Sequence, residues 1–415
     1  MSEEKLVPKL RFTVYSNDWF LEKLDNVCQF VRDGTHGSFK DVEIGIPLLS
    51  AKDIFDGKIN INENSRLISI DDYNTIHKNY ELTKGDILLT IVGTIGRTAM
   101  VNMDEKFTLQ RSVAILRVNE QISYNFLYYY IQTSAFQNRL KSVVNQSAQG
   151  GVYLNSLKKL NIKLTADMNE QNKISSFLSI IDKKIELLEQ KYQYYQEFKK
   201  YLMQQIFTQK LRFNFTDEWE KYLLGDISLI GKGFTPSTSN PSFWDGDLKW
   251  LSIADMNQGK YINQTTKKIT SDGSKNKEPV KKCTLLMSFK LSIGKLGILT
   301  EDMYTNEAIC NFKWKNKDVL TEYMYYYLSS INILKYGSQA AKGITLNNET
   351  LSTIPVLLPS LEEQKKIINI LSDVDMKINM LENSINDTSK FKKGLLQQMF
   401  IVQLILSLLQ NKKHI

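Results

Sequence analysis

Apolar residues recur every three or four positions along a stretch from Asn169 to Phe207 that contains neither Gly nor Pro. After the opening pair they lie at Ile174, Phe177, Leu178, Ile181, Ile185, Leu188, Tyr192, Tyr195, Phe198, Leu202 and Ile206. This is the spacing of one face of an α-helix, with Lys, Glu and Gln on the other face. At about 1.5 Å per residue the helix would be roughly 57 Å long. An isolated amphipathic helix of this length has no core of its own, so we expect it to have a partner.

A second stretch, Glu362 to Phe400, repeats the pattern after a shift of 193 residues without a gap. The equivalent pairs include Glu170 and Glu363, Gln171 and Gln364, Ile174 and Ile367, Leu178 and Leu371, Asp182 and Asp375, Ile185 and Ile378, and Leu188 and Leu381. Shared composition does not produce agreement over so long a stretch. The chain is therefore an internal duplication.

The duplication predicts an α+β protein in which mixed α/β globular segments alternate with long helices. The predicted segments are residues 1–168, the first helix at 169–208, residues 209–361, and the second helix with a C-terminal extension at 362–415. The residues expected to pack between the helices or against another subunit are Ile174, Leu178, Ile181, Ile185, Leu188, Ile367, Leu371, Val374, Ile378 and Leu381.

The two globular segments carry the same framing elements in the same order. These are, for each copy in turn, a Lys-Leu-Arg-Phe opening (Lys9–Phe12, Lys210–Phe213), a buried strand (Ile87–Val92, Leu285–Phe289), a turn (Thr94–Arg97, Ser292–Lys295), an aromatic helix (Phe126–Tyr130, Tyr323–Tyr327) and a closing Gly-led strand (Gly151–Leu164, Gly343–Leu358). The interiors differ, since Asp33–Phe39 has no sequence counterpart at Gly231–Ser237. This pattern indicates one fold that carries two different recognition surfaces.

The amino-acid composition limits which cellular compartment and which partners we expect for this chain. The three cysteines, Cys28, Cys283 and Cys310, are widely spaced and odd in number, which favours a reducing cytoplasm over a disulfide framework. No Cys/His pair has zinc-ligand spacing. A formal net charge of +8 with a sequence pI near 9.0 permits an anionic partner such as DNA.

Neither a signal peptide nor a membrane span is evident in the sequence. The opening MSEEKLVPKL lacks the basic-then-apolar order of a signal peptide. No apolar run approaches the roughly 20 residues that a transmembrane helix needs. The longest candidate, Phe400–Leu409, is interrupted by Gln403 and Ser407 and is interpreted as a continuation of the second helix. We therefore expect no membrane partner.

Enzymatic motifs are absent from the sequence. An amino-methyltransferase loop would read Asn/Asp-Pro-Pro-aromatic, but Asn240–Phe243 has Ser in place of the second Pro and is interpreted as a surface turn. Gly231–Gly233 and Gly294–Leu296 do not match a nucleotide-binding phosphate loop. We therefore expect a non-catalytic protein with no cofactor of its own.

Binding chemistry is better represented. Amides, cations and glycines beside strand ends suit contacts to base edges and phosphates. The candidate DNA-contacting residues are Thr35, His36, Ser38, Arg97, Gln110, Arg111, Gln146 and Gln149 in the first segment, and Lys232, Thr235, Ser237, Lys295, Ser338, Gln339 and Lys342 in the second.

The whole chain resembles the specificity subunits of type I DNA restriction–modification systems. The resemblance rests on the helix openings NEQNKI and EEQKKI, the FKKxLxQQxF close, the LRF…W openings, DGTHGSF, and Gly233–Asp247. It implies two target-recognition domains that each read half of a split double-stranded DNA sequence. It further implies two antiparallel coiled-coil helices, related by a pseudo-twofold axis, that fix the spacing between the half-sites.

The resemblance also implies partners. Two modification subunits would carry S-adenosylmethionine and the adenine methylation chemistry, and restriction subunits would carry the motor and nuclease with ATP and Mg. Two alternatives stay open at this point: a coiled-coil assembly adaptor without sequence-specific DNA binding, and a self-sufficient methyltransferase. DNA binding would argue against the first alternative, and a lack of cofactor binding would argue against the second.

Overall fold

The computed structural model of the chain describes residues 5–144, 150–290, 292–340 and 343–405. It contains two compact units: unit 1 is Met1–Glu189 with Asn383–Ile415, and unit 2 is Gln190–Glu382. The division falls inside the two long helices. Each unit therefore combines one globular segment with part of each helix.

Short strands and helices make up the first half of the chain up to one long helix. The strands are β1 (Lys5–Pro8), β2 (Phe20–Lys23), β3 (Cys28–Asp33), β4 (Ile46–Leu49), β5 (Ile54–Phe55), β6 (Lys58–Ile59), β7 (Leu67–Ile68), β8 (Ile87–Thr90), β9 (Thr98–Met100), β10 (Thr108–Leu109), β11 (Val113–Val118) and β12 (Asn161–Leu164). The helices are α1 (Ile70–Ile76), α2 (Tyr124–Ile131), α3 (Ser134–Ser142), α4 (Leu154–Lys158) and the long α5 (Met168–Phe207).

The second half continues the numbering. The strands are β13 (Glu220–Leu223), β14 (Ser228–Lys232), β15 (Trp244–Leu251), β16 (Tyr261–Ile262), β17 (Lys267–Ile269), β18 (Leu285–Ser288), β19 (Leu296–Leu299), β20 (Tyr304–Thr305), β21 (Ile309–Trp314), β22 (Ser338–Ala340), β23 (Gly343–Thr345), β24 (Pro355–Leu358) and β25 (Val402–Ile405). The helices are α6 (Leu224–Ile227), α7 (Ser271–Ser274), α8 (Thr321–Ser330), α9 (Asn348–Ser352) and the long α10 (Leu361–Phe400).

A four-stranded antiparallel sheet of order β3-β11-β8-β9 organises unit 1. Successive side chains of a strand point to opposite faces. Along β8, Ile87 and Leu89 belong to the larger hydrophobic cluster, whereas Leu88 belongs to a second cluster on the other face. Both faces are covered, which explains why β8 is apolar at consecutive positions instead of alternating.

Unit 2 is built on the same plan. Strands β14, β21, β18 and β19 follow the order of β3, β11, β8 and β9, and β16 adds a fifth strand at the edge. A smaller sheet of order β17-β15-β20 matches β7-β4-β10, with a parallel pair in each. The sequence prediction of one fold in two copies is confirmed at the level of strand order.

The aromatic helices pack into the cores of the two units. In α2, Phe126 and Tyr130 are buried against Phe400, with ring centroids 5.1 Å and 5.8 Å apart. In α8, Tyr323 and Tyr327 contact Phe207 at 5.9 Å and 5.5 Å. The last aromatic residue of each long helix therefore completes a globular core.

The apolar face of the long helices is buried within each unit. In unit 1 the cluster that holds Ile174, Leu178 and Ile181 also contains Leu395, Leu396 and Met399. In unit 2 the cluster that holds Ile367, Leu371 and Val374 also contains Leu202 and Ile206. Of the other residues predicted for this contact, Leu381 is buried, and Ile185, Leu188 and Ile378 are half-buried.

Three residues of the predicted α5 apolar face are less buried than expected. Tyr192 and Tyr195 are half-buried, and Phe198 is exposed. Phe198 instead stacks on Tyr194 of the same helix, with ring centroids 6.3 Å apart and the rings 6° from parallel. Two aromatic rings four residues apart on one helix can cover part of each other's apolar surface. The apolar spacing therefore overstated how far these side chains are buried against other elements.

The prediction of continuous strands at Gly151–Leu164 and Gly343–Leu358 was wrong. Each range contains a short helix, α4 or α9, before its final strand. Asn347 caps α9 by accepting a hydrogen bond from the Thr350 N–H. Leu351, four residues after this cap, is fully buried. The hydrophobic period changes inside these ranges from helical to alternating, and the sequence interpretation missed that change.

The continuation of the second helix through Phe400–Leu409 was also wrong for the described residues. Helix α10 ends at Phe400, and β25 pairs antiparallel with β1. The Lys9 N–H donates to the Ile401 carbonyl at 3.1 Å, and the Leu10 N–H donates to the Gln398 carbonyl at 2.9 Å. The chain near β1 thus satisfies carbonyls that a helix end leaves free. Within the described residues, no helix has the length and apolar content to span a bilayer.

A buried glutamate at the start of each long helix holds the opening segment of its unit. Glu170 accepts from Arg11 at 2.6 Å and 2.8 Å and from the Trp19 indole at 3.4 Å. Its equivalent Glu363 accepts from Arg212 at 3.1 Å and 2.7 Å. The carboxylate of Glu363 raises the pKa of Arg212 through their hydrogen bonds. The Arg and Trp of the LRF…W openings are therefore partners of one carboxylate.

Replacing Glu170 by Ala should destabilise unit 1 by about 3–5 kcal/mol, because it leaves Arg11 and Trp19 with unpaired polar groups in a buried position. Glu189→Ala, at an exposed position of the same helix, is the matched control and should change stability by less than about 0.5 kcal/mol. Urea unfolding of the full chain, followed by tryptophan fluorescence, measures both. Equal midpoints for the two variants would contradict the assignment.

Candidate nucleic-acid interface

Six of the polar residues predicted for DNA contact in unit 1 lie at one end of the four-stranded sheet: Thr35, His36, Ser38, Arg97, Gln110 and Arg111. The register pairs Asp33, the last residue of β3, with Ala114, and pairs Thr90, the last residue of β8, with Val113. Strands β11 and β9 begin at this same end, since Leu89 pairs with Thr98. Loops that leave or enter these strands therefore emerge together.

Thr35, Gln110 and Arg111 are brought into direct contact there. Thr35 forms a parallel bridge with Gln110, and the Arg111 N–H donates to the Thr35 carbonyl at 3.0 Å. The Thr35 hydroxyl accepts from the Gly37 N–H at 3.1 Å. His36 and Ser38 follow on the exposed part of the loop, and His36 pairs with Asp33 at 2.7 Å. Main-chain bonds thus position a cation and two polar side chains.

Arg97 lies in a tight turn at the same sheet end. Gly96 has φ +94°, a left-handed conformation that favours glycine. The Gly96 N–H donates to the Thr90 carbonyl at 2.9 Å, and the Arg97 N–H donates to the Thr90 hydroxyl at 2.9 Å. The turn fixes the backbone of Arg97, whose side chain is half-buried.

Unit 2 repeats this turn. Gly294 has φ +89°, its N–H donates to the Ser288 carbonyl, and the Lys295 N–H donates to the Ser288 hydroxyl. The Lys295 ammonium reaches the Asn257 amide oxygen at 2.8 Å. The predicted equivalence of Arg97 and Lys295 is confirmed in backbone geometry, but the cation of Lys295 already has a protein partner.

Asp33–Phe39 does have a structural counterpart, contrary to the sequence comparison. The Gly34 N–H donates to Val113 and the Thr35 N–H to Leu109, while the Gly233 N–H donates to Ile309 and the Phe234 N–H to Thr305. A Cβ on Gly34 or Gly233 would lie 2.1 Å or 2.0 Å from the carbonyl oxygen of the facing strand. The close approach requires glycine in both units, whereas the side chains that flank the two glycines differ.

Equivalent strand ends carry side chains of opposite charge in the two units. Gln110 and Asn306 occupy equivalent places, because the Gln110 N–H donates to Leu49 and the Asn306 N–H to Leu251. The next residue is the exposed Arg111 in unit 1 and the exposed Glu307 in unit 2. A common framework thus presents an amide with a cation in one unit and an amide with a carboxylate in the other.

Other predicted residues of unit 2 vary in their availability. Lys232 and Ser237 are exposed, and the Ser237 hydroxyl lies 2.8 Å from that of Ser239. The Thr235 hydroxyl is occupied, since it bonds the Glu307 carboxylate and accepts from the Asn306 amide at 3.1 Å. Of the predicted set, Gln146, Gln149 and Lys342 lie outside the described residues. Ser338 and Gln339 belong to β22, and only their backbone is described.

A cleft that the sequence interpretation missed lies next to Thr35 and His36. It has a volume of about 530 Å³ and is lined by Phe30, Arg32, Asp33, Gly34, Thr35, His36, Asn79, Tyr80 and Arg117. Phe30 and Arg32 stand two residues apart on β3, so they share a sheet face. The sequence signal that could have indicated this cleft was the cation Arg32 near the end of β3, after the apolar Phe30 and Val31.

His77 supports the wall of this cleft from behind. Its ring packs between Tyr73 and Tyr80, with centroids 4.4 Å and 4.6 Å away. The two ring nitrogens lie 3.0 Å from the Tyr80 carbonyl and 2.9 Å from the Thr108 hydroxyl. Burial lowers the pKa of His77 below its ordinary 6.5, partly offset by the bond to Tyr80. The ring is therefore neutral in the folded protein at pH 7.

The lowered pKa of His77 gives unit 1 a pH-dependent stability. Below pH 6.5 the unfolded chain binds a proton that the folded chain resists, so stability is lost as the pH falls from 6.5 towards the lower folded pKa. Urea midpoints at pH 7 and pH 5 should differ less in His77→Asn than in the wild type. An unchanged difference would contradict this role of His77.

No cluster of three or more His, Cys, Asp or Glu residues with metal-binding geometry occurs in the part of the chain that the structure describes. Cys28 and Cys310 are buried, and burial raises the pKa of the Cys28 thiol to about 12. Both thiols are held in the neutral form, which is a poor nucleophile. The observed chemistry at the sheet ends is that of hydrogen bonding and charge.

Sequence comparison places both units in one family. Residues 18–194 and 216–388 each match the family model described as the type I restriction modification DNA specificity domain. A relative from Methanocaldococcus jannaschii, provisionally named the type I restriction enzyme MjaX specificity subunit, is 24% identical over 408 residues, or 91% of this chain and 92% of the relative. The MjaIX specificity subunit of that organism is 30% identical over 179 residues, which spans 40% of this chain and only 39% of the relative.

Solved structures show the same fold. The S subunit of a type I restriction–modification system from M. genitalium matches with a TM-score of 0.59 and 16% identity, over 95% of this chain and 99% of that one. A chain from a structure of complex assembly in the type I system matches with a TM-score of 0.57 and 15% identity, over 93% and 99%. Since the family model covers most of both units, this protein belongs to the family of type I restriction–modification DNA specificity domains.

Proposed function

We propose that this chain is the sequence-specificity subunit of a type I DNA restriction–modification complex and binds a bipartite double-stranded DNA target. The observation that carries the proposal is the matched pair of sheet ends. Gly34 and Gly233 are held by equivalent main-chain bonds, while the side chains beside them differ. A duplicated framework with unlike polar surfaces suits a protein that reads two different half-sites.

The side chains at the sheet ends have the chemistry of base readout. Amides pair with adenine, arginine with guanine, and carboxylates accept from the cytosine amino group. Unit 1 offers Gln110 and Arg111. Unit 2 offers Asn306 and Glu307, whose side chains bond the Thr235 hydroxyl and keep further donor and acceptor capacity. We therefore propose that these two positions contribute to each half-site, and that lysines such as Lys232 add salt-dependent phosphate contacts.

The long helices are proposed to pair as an antiparallel coiled coil with pseudo-twofold symmetry, and so to set the spacer between half-sites. Two ion pairs support this arrangement: Asp182 with Lys392 at 2.6 Å in unit 1, and Asp375 with Lys199 at 2.5 Å in unit 2. The two pairs are equivalent under the 193-residue shift. Each aspartate also accepts from a core tyrosine, Tyr129 or Tyr326, so the contact is repeated in detail.

The partners are proposed to be two modification subunits, with restriction subunits joining them. On α5 in unit 1, Ile180 and Leu187 are 67% and 53% exposed; on α10 in unit 2, Met376 and Met380 are 59% and 56% exposed. Ile180 and Leu187 are seven residues apart and Met376 and Met380 are four apart, so each pair shares one helix face, and a contiguous exposed apolar patch there would suit a protein partner. S-adenosylmethionine, ATP and Mg would be held by those partners, and this chain would supply recognition and assembly without turnover.

Methylation sequencing of DNA from cells that express the chain with its modification subunits tests the proposal. The expected result is adenine methylation at two short motifs separated by a fixed unspecified spacer. A contiguous motif, or the absence of any motif together with no salt-dependent DNA binding by the complex, would refute it.

Arg111→Ala and Glu307→Ala should each relax one position in a different half-site. Losing a base-edge contact costs about 1–3 kcal/mol of discrimination. The same sequencing assay measures both variants, and each serves as the control for the other. If either substitution altered both half-sites, the independence of the two units would be refuted.

Inserting four residues into the middle of α5, roughly one helical turn, should lengthen the spacer and leave both half-sites unchanged. The physical reason is that a longer helix carries its attached domain further along the DNA. Methylation sequencing reads the spacer directly. An unaltered spacer in an active complex would count against the helices as its determinant.

A further inference from the structure

Arg32 in unit 1 carries a buried hydrogen-bond donor that no described residue satisfies. Its Nε is buried and has no hydrogen-bond partner among the described residues. Leaving a buried donor unpaired is unfavourable, and more so when the group is charged. Arg32 also lines the open cleft, so the outer N–H groups of its guanidinium can meet an acceptor that arrives with a ligand.

The orientation of the Arg32 guanidinium is fixed before any ligand binds. Its Cζ lies 3.6 Å from the centroid of the Tyr80 ring, a stacked cation–π contact. Tyr80 is held in turn by His77 and by Phe30, whose ring centroid is 6.5 Å away. Stacking leaves the edge of the guanidinium, with its N–H donors, available to bond in the plane.

A neighbouring arginine provides a comparison within the same cleft. Arg117 stacks on Phe30 at 4.7 Å, but its donors reach Asp86 at 2.7 Å and 2.6 Å and the Glu81 carbonyl at 2.6 Å. These bonds to Asp86 raise the pKa of Arg117. The donors of Arg117 are thus bonded within the protein. Arg32 also stacks on an aromatic ring, but none of the described carboxylates bonds its guanidinium. The nearest carboxylate in sequence, Asp33, is paired with His36.

We propose that Arg32 is a specificity-determining residue of unit 1 that reads a guanine through the N7 and O6 acceptors of its major-groove edge. This inference rests on the proposed function of DNA recognition. A planar, pre-oriented guanidinium matches the paired acceptors of guanine, which is the commonest specific arginine contact in DNA complexes. The cleft adjoins Thr35 and His36, at the sheet end that presents Gln110 and Arg111.

Unit 2 carries a glycine at the equivalent place. Arg32 faces Ile115 in the β3–β11 register, and Gly231 faces Asn311 in the β14–β21 register. A Cβ on Gly231 would lie 2.6 Å from the Asn311 side-chain oxygen, so that amide occupies the space beside the glycine. The guanine contact is therefore confined to the half-site read by unit 1.

The test uses the complete methyltransferase complex with Arg32→Ala, Arg32→Lys and the control Lys141→Ala, which removes an exposed cation from the same unit. Methylation sequencing should show that one guanine of one half-site becomes degenerate in both Arg32 variants. The other half-site and the spacer should stay unchanged, and Lys141→Ala should retain the wild-type motif. Arg32→Lys keeps the charge and stem but lacks the planar fork, so it is informative even if the Ala variant folds poorly.

A binding measurement separates a base contact from a phosphate contact. Replacing that guanine by 7-deazaguanine removes the N7 acceptor and should weaken binding of the wild-type complex about 5–150-fold, with little further effect in Arg32→Ala. Uniformly weaker binding with an unchanged motif and a smaller salt dependence would identify a phosphate contact and overturn the proposal. A half-site without guanine would also overturn it. A wild-type complex with no bipartite motif would instead refute the proposed function.

Discussion

In each unit, the packing of the globular segment against the long helix depends on a pair of buried polar residues at the start of that helix. Glu170 binds the opening Arg and Trp, and the adjacent Gln171 binds three main-chain groups, namely the Thr165 and Gln121 carbonyls and the Ser123 N–H. Glu363 and Gln364 repeat these bonds in unit 2. A buried carboxylate is tolerated only when it is fully paired, so these residues fix the opening segment, the aromatic helix and the closing strand against one helix end.

This anchoring explains how the polar surfaces at the strand ends can differ between the units without loss of the fold. The aromatic cores belong to the larger hydrophobic cluster of each unit, on one face of its main sheet, whereas the polar loops leave the strand ends. Exchange of Arg111 for Glu307, or of Arg32 for Gly231, changes no residue in the larger hydrophobic clusters. The residues that form the core and the polar residues at the strand ends are therefore different, so the strand ends can vary while the core stays the same.

The sequence predicted the features that follow from periodicity and repetition. The long helices, the buried strands and the aromatic helices were predicted because their apolar spacing is regular over many residues. The helix–strand change within Gly151–Leu164 and the strand after Phe400 were missed because each depends on short-range caps or on pairing with a distant segment. The equivalence of Gly34 and Gly233 was invisible in sequence because it resides in main-chain bonds.

The site was predictable only in part, for a related reason. Strand ends and turn glycines indicated where Arg97, Gln110 and Arg111 would lie, but not which polar groups have protein partners. Thr235 and Lys295 were reasonable candidates from sequence, yet their side chains bond Glu307 and Asn257. Arg32 has the opposite character. The sequence shows an ordinary strand residue, and only the packing reveals a donor that has no partner among the described residues and a guanidinium stacked on an aromatic ring. Whether a polar group has a hydrogen-bond partner within the protein depends on the assembled fold. That difference separates residues that hold the protein together from residues left available for a ligand.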